Sequence, residues 1–206
     1  MGNSLSIDFF LDNHDIIIPL IISIPLIFYS WKNFVDSNKD INEIKDIVTN
    51  PGPITETSYK ICEKFFSKNP GFLNIPIIPH FGAIFTPFQK ACFNMSTPLV
   101  RLMIEKGAMV NTSSKDNHAP FLICISAIVV RGIRDFSCLE VLTEAGCDIN
   151  VIYEKTHMSA LHTSLIYKRY DLFNFLLGKG IDATLKDIDG LTAHEYATGG
   201  LPREEF

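Results

Sequence analysis

The sequence predicts an all-α protein of recurring short helix pairs, preceded by one hydrophobic helix near the N-terminus. The stretch 86–111 contains two apolar segments, with Pro87 where the first begins and Gly107 where the second ends. Proline is tolerated in the first turn of a helix, and glycine adopts the left-handed conformation that often follows the last turn. The same order of residue types returns at 159–184, and residues 16–31 form an uncharged apolar run. These stretches predict helix pairs in the body of the chain and a separate N-terminal segment.

Residues 86–111 resemble the ankyrin repeat. Their sequence, TPFQKACFNMSTPLVRLMIEKGAMVN, aligns without a gap with that family's T-P-L-H-x-A opening, its apolar run and its G-A-D-V-N close. The resemblance implies a unit of about 33 residues in which a β-turn finger is followed by two antiparallel helices. It also implies a solenoid of stacked helix-turn-helix units whose concave face binds other proteins.

The resemblance divides the chain into a hydrophobic segment, residues 1–36, and a repeat domain, residues 37–206. In the second half of the domain one closing sequence comes six residues later than the pattern requires, which places an insertion within 126–137. Arg131 and Arg134 in this insertion are candidates for a specific contact. The first repeat is degenerate, and its front helix is predicted at 41–48. The predicted repeats cover about 38–74, 75–111, 112–150 and 151–184, followed by a truncated cap at 185–206.

The apolar run at 16–31 has the composition of a short membrane segment. As a helix it would extend about 24 Å, somewhat less than the roughly 30 Å hydrocarbon core of a bilayer. Tyr29 and Trp31, followed by Lys32, are the residue types found where a helix leaves the bilayer. We expect the run to insert into a membrane. Two alternatives are open: an apolar arm packed on the repeats or on a partner, and a cleaved signal sequence, which the acidic residues before the run disfavour.

The charges around this run predict a cytoplasmic repeat domain. Lys32, Lys39 and Lys45 follow it and no Lys or Arg precedes it, so the positive-inside rule places the repeats in the cytosol. Gly2 and Ser6 match the N-myristoylation pattern, which makes Gly2 a candidate lipidation site. A myristoylated N-terminus stays on the cytosolic side, whereas a single span places it outside. A re-entrant apolar segment would reconcile the two predictions.

Residues 72–88, where the resemblance places a finger, are unusually apolar. Contiguous exposed apolar patches mark interaction sites, so such a finger requires a cover. We expect it to be covered by the N-terminal arm or the first repeat, or by a membrane or a partner protein.

Composition and motifs argue against nucleic-acid binding and catalysis. The 206 residues carry a net charge of −5 and no basic cluster, so we expect no nucleic-acid partner. The five cysteines are an odd number, and we expect them to be reduced thiols of a cytosolic domain, mostly packed between helices. The histidines and cysteines lack zinc-site spacing, and no phosphate loop or nucleophile elbow is present. The sequence therefore predicts no enzyme, no catalytic residues, no metal and no cofactor.

Protein binding is the function that the sequence favours. The resemblance implies a structural role for His162, whose ring would join neighbouring fingers. It implies contact positions on the fingers and first helices, with Phe93 and Tyr167 as aromatic anchors. We expect either a membrane-tethered adaptor or scaffold, or a soluble regulatory or inhibitory subunit whose apolar N-terminal arm docks on its partner. The candidate contact residues are Phe93, Asn94, Lys115, Asp116, His118, Lys155, Thr156, Met158, Ile166, Tyr167, Ile188 and Asp189.

Overall fold

The computed structural model describes residues 39–80, 83–112 and 119–197, and it is mostly helical, as the sequence predicts. A short 3-10 helix, Pro70–Asn74, precedes a two-stranded antiparallel sheet of β1 (Ile78–His80) and β2 (Ala83–Phe85). The α-helices of the described residues are α1 (Lys39–Thr49), α2 (Glu56–Lys68), α3 (Pro87–Phe93), α4 (Thr97–Glu105), α5 (Pro120–Arg131), α6 (Ser137–Glu144), α7 (Ala160–Ile166), α8 (Tyr170–Gly178) and α9 (Ala193–Ala197).

The chain divides into two compact units, Met1–Glu43 and Ile44–Phe206, with the division falling inside α1. Of the first unit the structure describes residues 39–43, which form the beginning of α1. The second unit contains the remaining helices and the sheet, and it holds the residues discussed below.

Side-chain caps fix where α3 and α7 begin. Thr86 Oγ1 accepts a hydrogen bond from the backbone N–H of Gln89 at 3.1 Å, and Gln89 Oε1 accepts one from the N–H of Thr86 at 2.8 Å. This reciprocal capping box satisfies two N–H groups that have no partner inside the helix. Pro87 occupies the first helical turn, as predicted. Ser159 and His162 form the same arrangement at the start of α7.

Glycines in the left-handed conformation follow the second helix of three successive pairs. Their φ angles are +96° at Gly107, +77° at Gly146 and +80° at Gly180. A side chain is strained at such angles, so glycine is the residue that ends these helices at the least cost. The predicted role of Gly107 as a helix end is confirmed.

A ladder of three asparagines connects these glycine turns. Asn74 Nδ2 donates to Gly107 O at 3.3 Å and Asn74 Oδ1 accepts from the N–H of Met109 at 2.9 Å. Asn111 repeats this pattern with Gly146 O at 3.0 Å and the N–H of Asp148 at 2.7 Å. Asn150 Oδ1 accepts from the N–H of Asp182 at 2.8 Å. We call these three side chains the asparagine ladder.

The helices pack in two rows around one buried cluster. In one row α3 packs on α5, α5 on α7 and α7 on α9; in the other α2 packs on α4 and α4 on α6. Small Ala91 and Cys92 in α3 are fully buried and permit close approach of the neighbouring helices. The larger side chains of the cluster include Phe66, Phe88, Phe121, Leu139 and Leu142.

The apolar stretch before α3 forms the hairpin of β1 and β2. Ile78 pairs with Phe85 across the hairpin, and both side chains belong to the same buried cluster as Phe66 and Leu73. Residues of α2 and of the 3-10 helix thus cover one side of this hairpin. Ile84 on β2 is different, because 57% of its surface is exposed.

The predicted insertion lengthens α5 and the loop that follows it. Helix α5 has 12 residues, whereas α3 and α7 have seven each. Gly132, at a φ of +66°, ends α5. The Arg169 guanidinium donates to the carbonyl oxygens of Ile128, at 3.0 Å, and Ile133, and it pairs with Asp171 at 2.8 Å. One arginine thus satisfies carbonyls at the end of the longer helix.

The five cysteines are free thiols, and all are buried. The Sγ atoms of Cys124 and Cys138 lie 3.6 Å apart between α5 and α6, and Cys124 Sγ also approaches Cys92 O at 3.5 Å. Burial raises the pKa of Cys92 and Cys124 well above the ordinary value and raises that of Cys147 to about 12. These three groups are therefore protonated core side chains at neutral pH, because desolvation disfavours the thiolate.

Candidate functional site

Lys155, Thr156, Met158, Ile188 and Asp189, five of the candidate contact residues, lie on two turns that are joined to each other. In the turn 153–158 the N–H of Tyr153 donates to Met158 O at 2.9 Å, and the N–H of His157 donates to Tyr153 O at 2.8 Å. The turn 186–192 lies beside it, because the N–H of Ile188 donates to Thr156 O at 2.9 Å. The structure therefore brings predicted contact residues of these two turns together.

The turn 153–158 is anchored to α5 through Tyr153. The Tyr153 hydroxyl lies 2.9 Å from Ser126 Oγ, and burial raises the pKa of this phenol. Lys155 at the tip of the turn is exposed, and Met158 is half-buried. An anchored turn presents these side chains in one geometry, which lowers the entropy that binding would cost.

His162 makes polar contacts through both of its ring nitrogens. Its Nδ1 accepts from the N–H of Ser159 at 3.1 Å and lies 2.9 Å from Ser159 Oγ, and its Nε2 lies 3.0 Å from Leu191 O. Because Nδ1 accepts, the proton of the neutral ring is on Nε2, which donates to Leu191 O. The fully buried ring thus connects the start of α7 to the turn 186–192.

Asp187 holds the turn 186–192 from its inner side. Its carboxylate accepts from the N–H groups of Asp189, at 3.0 Å, and Leu191, at 2.9 Å, and from the Tyr196 hydroxyl. Burial alone would raise the pKa of Asp187, but these hydrogen bonds outweigh it and hold the pKa below its usual value. Asp189 itself is exposed at the tip of the turn.

Large apolar and aromatic side chains are exposed at the end of α7 and on the turn 186–192. Tyr167, at the end of α7, is 53% exposed, and Ile188 is 63% exposed. Ile166 beside Tyr167 is half-buried. Exposed aromatic residues on rigid elements are typical anchors of protein interfaces. The role of Tyr167 as an anchor stays a prediction.

Asn94 differs from the expectation of an exposed contact residue. It is buried, and its Nδ2 donates to the carbonyl oxygens of Val48, at 2.9 Å, and Asn50, at 3.3 Å. These carbonyls lie at the C-terminal end of α1, where helical carbonyls lack partners within the helix. Asn94 therefore supports the end of α1 rather than offering its side chain to a partner.

Phe93 lies in a cluster of aromatic and cationic side chains that we call the Phe93 cluster. Its ring centroid is 4.2 Å from that of His80 and 6.4 Å from that of Phe85. Lys90 Nζ lies 5.1 Å from the Phe93 centroid, and Arg131 Cζ lies 5.7 Å from it. The spacing of Lys90 and Phe93, three residues apart on one helix, could have been found in the sequence. The approach of His80 and Arg131 depends on the tertiary fold.

Several predictions fall outside the described residues. Among these are the contact residues Lys115, Asp116 and His118, the lipidation site Gly2, and the apolar run 16–31. Across residues 39–80, 83–112 and 119–197, the structure contains no helix whose length and apolar character would allow it to cross a membrane.

Comparisons with known proteins give no match, either to a protein-family model or to a curated sequence.

Proposed function

We propose that this chain is a non-catalytic ankyrin-repeat adaptor or scaffold, tethered to a membrane by its N-terminal segment with its repeats in the cytosol. The repeats stack as a solenoid, and the face made by the fingers and first helices binds a protein partner. The resemblance of residues 86–111 and 159–184 to the ankyrin repeat suggested this arrangement, and the contacts of the described residues support it.

The asparagine ladder is the observation that carries the proposal. Asn74 reaches a glycine carbonyl 33 residues ahead and Asn111 reaches one 35 residues ahead, close to the repeat length of about 33 residues. Equivalent side chains that make equivalent bonds to the next unit are expected of repeats that contact only their neighbours. A protein without repeats is not expected to form the same bond again at this interval.

The surface beside the turns supports protein binding. Tyr167 and Ile188 expose apolar area on elements that His162 and Tyr153 hold in place. Exposed aromatic side chains in a fixed geometry lose little conformational entropy when they bind. The partner surface therefore includes the end of α7 and the two turns.

Membrane tethering is tested by fractionation. We expect the full chain to remain in the membrane pellet after an alkaline wash, because residues 16–31 provide an apolar anchor. A chain that begins at Asp36 lacks this run and should be found in the supernatant. If the full chain itself appeared in the supernatant, membrane tethering would be contradicted, and the soluble regulatory subunit would be the better description.

Protein binding at the finger side is tested by proximity labelling with Tyr167→Ala. Because aromatic anchors contribute most of the binding energy of an interface, we expect recovery of the specifically labelled partner to fall about tenfold. Tyr170→Ala is the matched control, since Tyr170 is 61% exposed but lies on α8, a second helix. Equal recovery from the two variants would show that the partner does not use the end of α7.

A further inference from the structure

The Phe93 cluster holds two cations that have no anionic partner among the described residues. Lys90 and Arg131 both approach the Phe93 ring, and neither forms an ion pair with a carboxylate within residues 39–80, 83–112 and 119–197. Lys90 is only 9% exposed, whereas Arg131 is exposed. Two like charges at one aromatic ring are unexpected in a chain whose net charge is −5.

The local contacts of Lys90 compensate its charge only in part. Its Nζ lies 3.4 Å from His80 Nδ1, and the face of Phe93 attracts the ammonium. Burial, followed by repulsion from Arg131, lowers the pKa of Lys90. Burial and the charge of Lys90 also lower the pKa of His80, so its ring is neutral near pH 7 and can accept from Lys90. A buried cation without an anion is unfavourable, and an anion between Lys90 and Arg131 would remove the repulsion.

The Arg131 guanidinium is held in position, and most of its N–H groups have no acceptor among the described residues. Its Nη2 donates to Asn94 O at 3.4 Å, and this is the one hydrogen bond that the described residues offer it. A guanidinium has five N–H donors, and its planar fork matches the two oxygens of a carboxylate. Asn94 in turn is fixed by Val48 O and Asn50 O. The backbone carbonyl of Asn94, a residue whose side chain is held by two other carbonyls, therefore helps to orient Arg131.

We propose that Lys90 and Arg131 bind a carboxylate side chain of the partner protein, which lies against the Phe93 ring. The proposal rests on the proposed function, because it places the site on the first helices α3 and α5. These helices belong to the same row as α7, at whose end Tyr167 lies. A protein carboxylate is favoured over a free anion, since the half-buried ring of Phe93 gives apolar contact to the chain that carries it. Arg131 is exposed, so the acidic side chain enters from its side.

The test is titration of the full chain, in an uncharged detergent, with an acetylated and amidated peptide of six glutamates. We expect saturable binding that weakens as salt is raised, because the contact is electrostatic. The same peptide made of six glutamines should not bind. Arg131→Gln and Lys90→Met should each weaken binding about tenfold, as expected for loss of one charge-assisted hydrogen bond.

Arg101→Gln is the matched control, since Arg101 is an exposed cation on the second helix α4. It should leave the affinity for the glutamate peptide unchanged. Equal binding of the two peptides, or equal loss in Arg101→Gln and Arg131→Gln, would overturn the proposal. If the glutamate peptide binds, we expect millimolar inorganic phosphate to compete with it. Phosphate binding without binding of the peptide would identify a site for free anions and would contradict the proposal. Loss of the labelled partner in Tyr167→Ala tests the proposed function separately, because Tyr167 is not in the Phe93 cluster.

Discussion

Replacing Leu176 by alanine should lower the free energy of unfolding by about 3 kcal/mol, the usual cost of truncating a buried leucine. Leu176 lies in α8 and is 1% exposed, and its side chain is part of the buried cluster. The substitution removes apolar contacts and leaves a cavity that the surrounding helices fill only in part. Urea denaturation of the full chain, followed by circular dichroism, measures the change.

The adjacent residue provides the control for this prediction. Leu177 has the same side chain and the same helix propensity but is 42% exposed. Leu177→Ala should therefore cost less than about 1 kcal/mol. Equal destabilisation by the two substitutions would mean that α8 does not face the core in the described orientation.

His162→Ala should also destabilise the protein by about 3 kcal/mol, because it removes packing and leaves buried hydrogen-bonding groups without partners. The two groups at risk are the N–H of Ser159 and the carbonyl of Leu191. The contact with Ser159 is buried, so water does not readily replace the ring there, whereas the contact with Leu191 O is only partly buried. Thermal or urea denaturation of the variant gives the magnitude.

A second variant separates the two roles of His162. Gln89 occupies the equivalent position of the capping box in α3, where its amide oxygen accepts from the N–H of Thr86. His162→Gln should therefore keep the cap of α7 but lose the bond to Leu191 O, with a cost of about 1–2 kcal/mol. His194→Ala, at an exposed histidine, should have little effect. A glutamine variant as unstable as the alanine variant would show that the bond to Leu191 O dominates and that the cap contributes nothing.

Local signals account for what the sequence could predict. Pro87 and Gly107 mark a helix start and a helix end because the backbone conformations that they favour are decided within a few residues. The same holds for Ser159 and His162 at the start of α7, where both partners of the capping box lie within one turn. The helix pairs and their approximate bounds could therefore be derived before any tertiary contact was known.

Long-range contacts account for what the sequence could not predict. The burial of Asn94 depends on the carbonyl of Val48, which is 46 residues away, and no local pattern indicates that pairing. The same applies to Arg131, which extends from the longer α5 to the Phe93 ring on α3. The insertion could be placed within 126–137, but the contact of Arg169 with the carbonyl of Ile128, 41 residues away, could not be read from the sequence. Such contacts are decided by the packing of neighbouring elements.

The asparagine ladder also affects how the protein unfolds. Asn74 ties the 3-10 helix to the turn at Gly107, and Asn111 and Asn150 each tie one glycine turn to the next. In the proposed stack, a unit in the middle is therefore held from both sides, whereas the outermost units are held from one. Fraying should accordingly begin at the ends and travel inward, with cooperativity set by the coupling between adjacent units. Loss of an interior rung should weaken the coupling between the two proposed units that it joins.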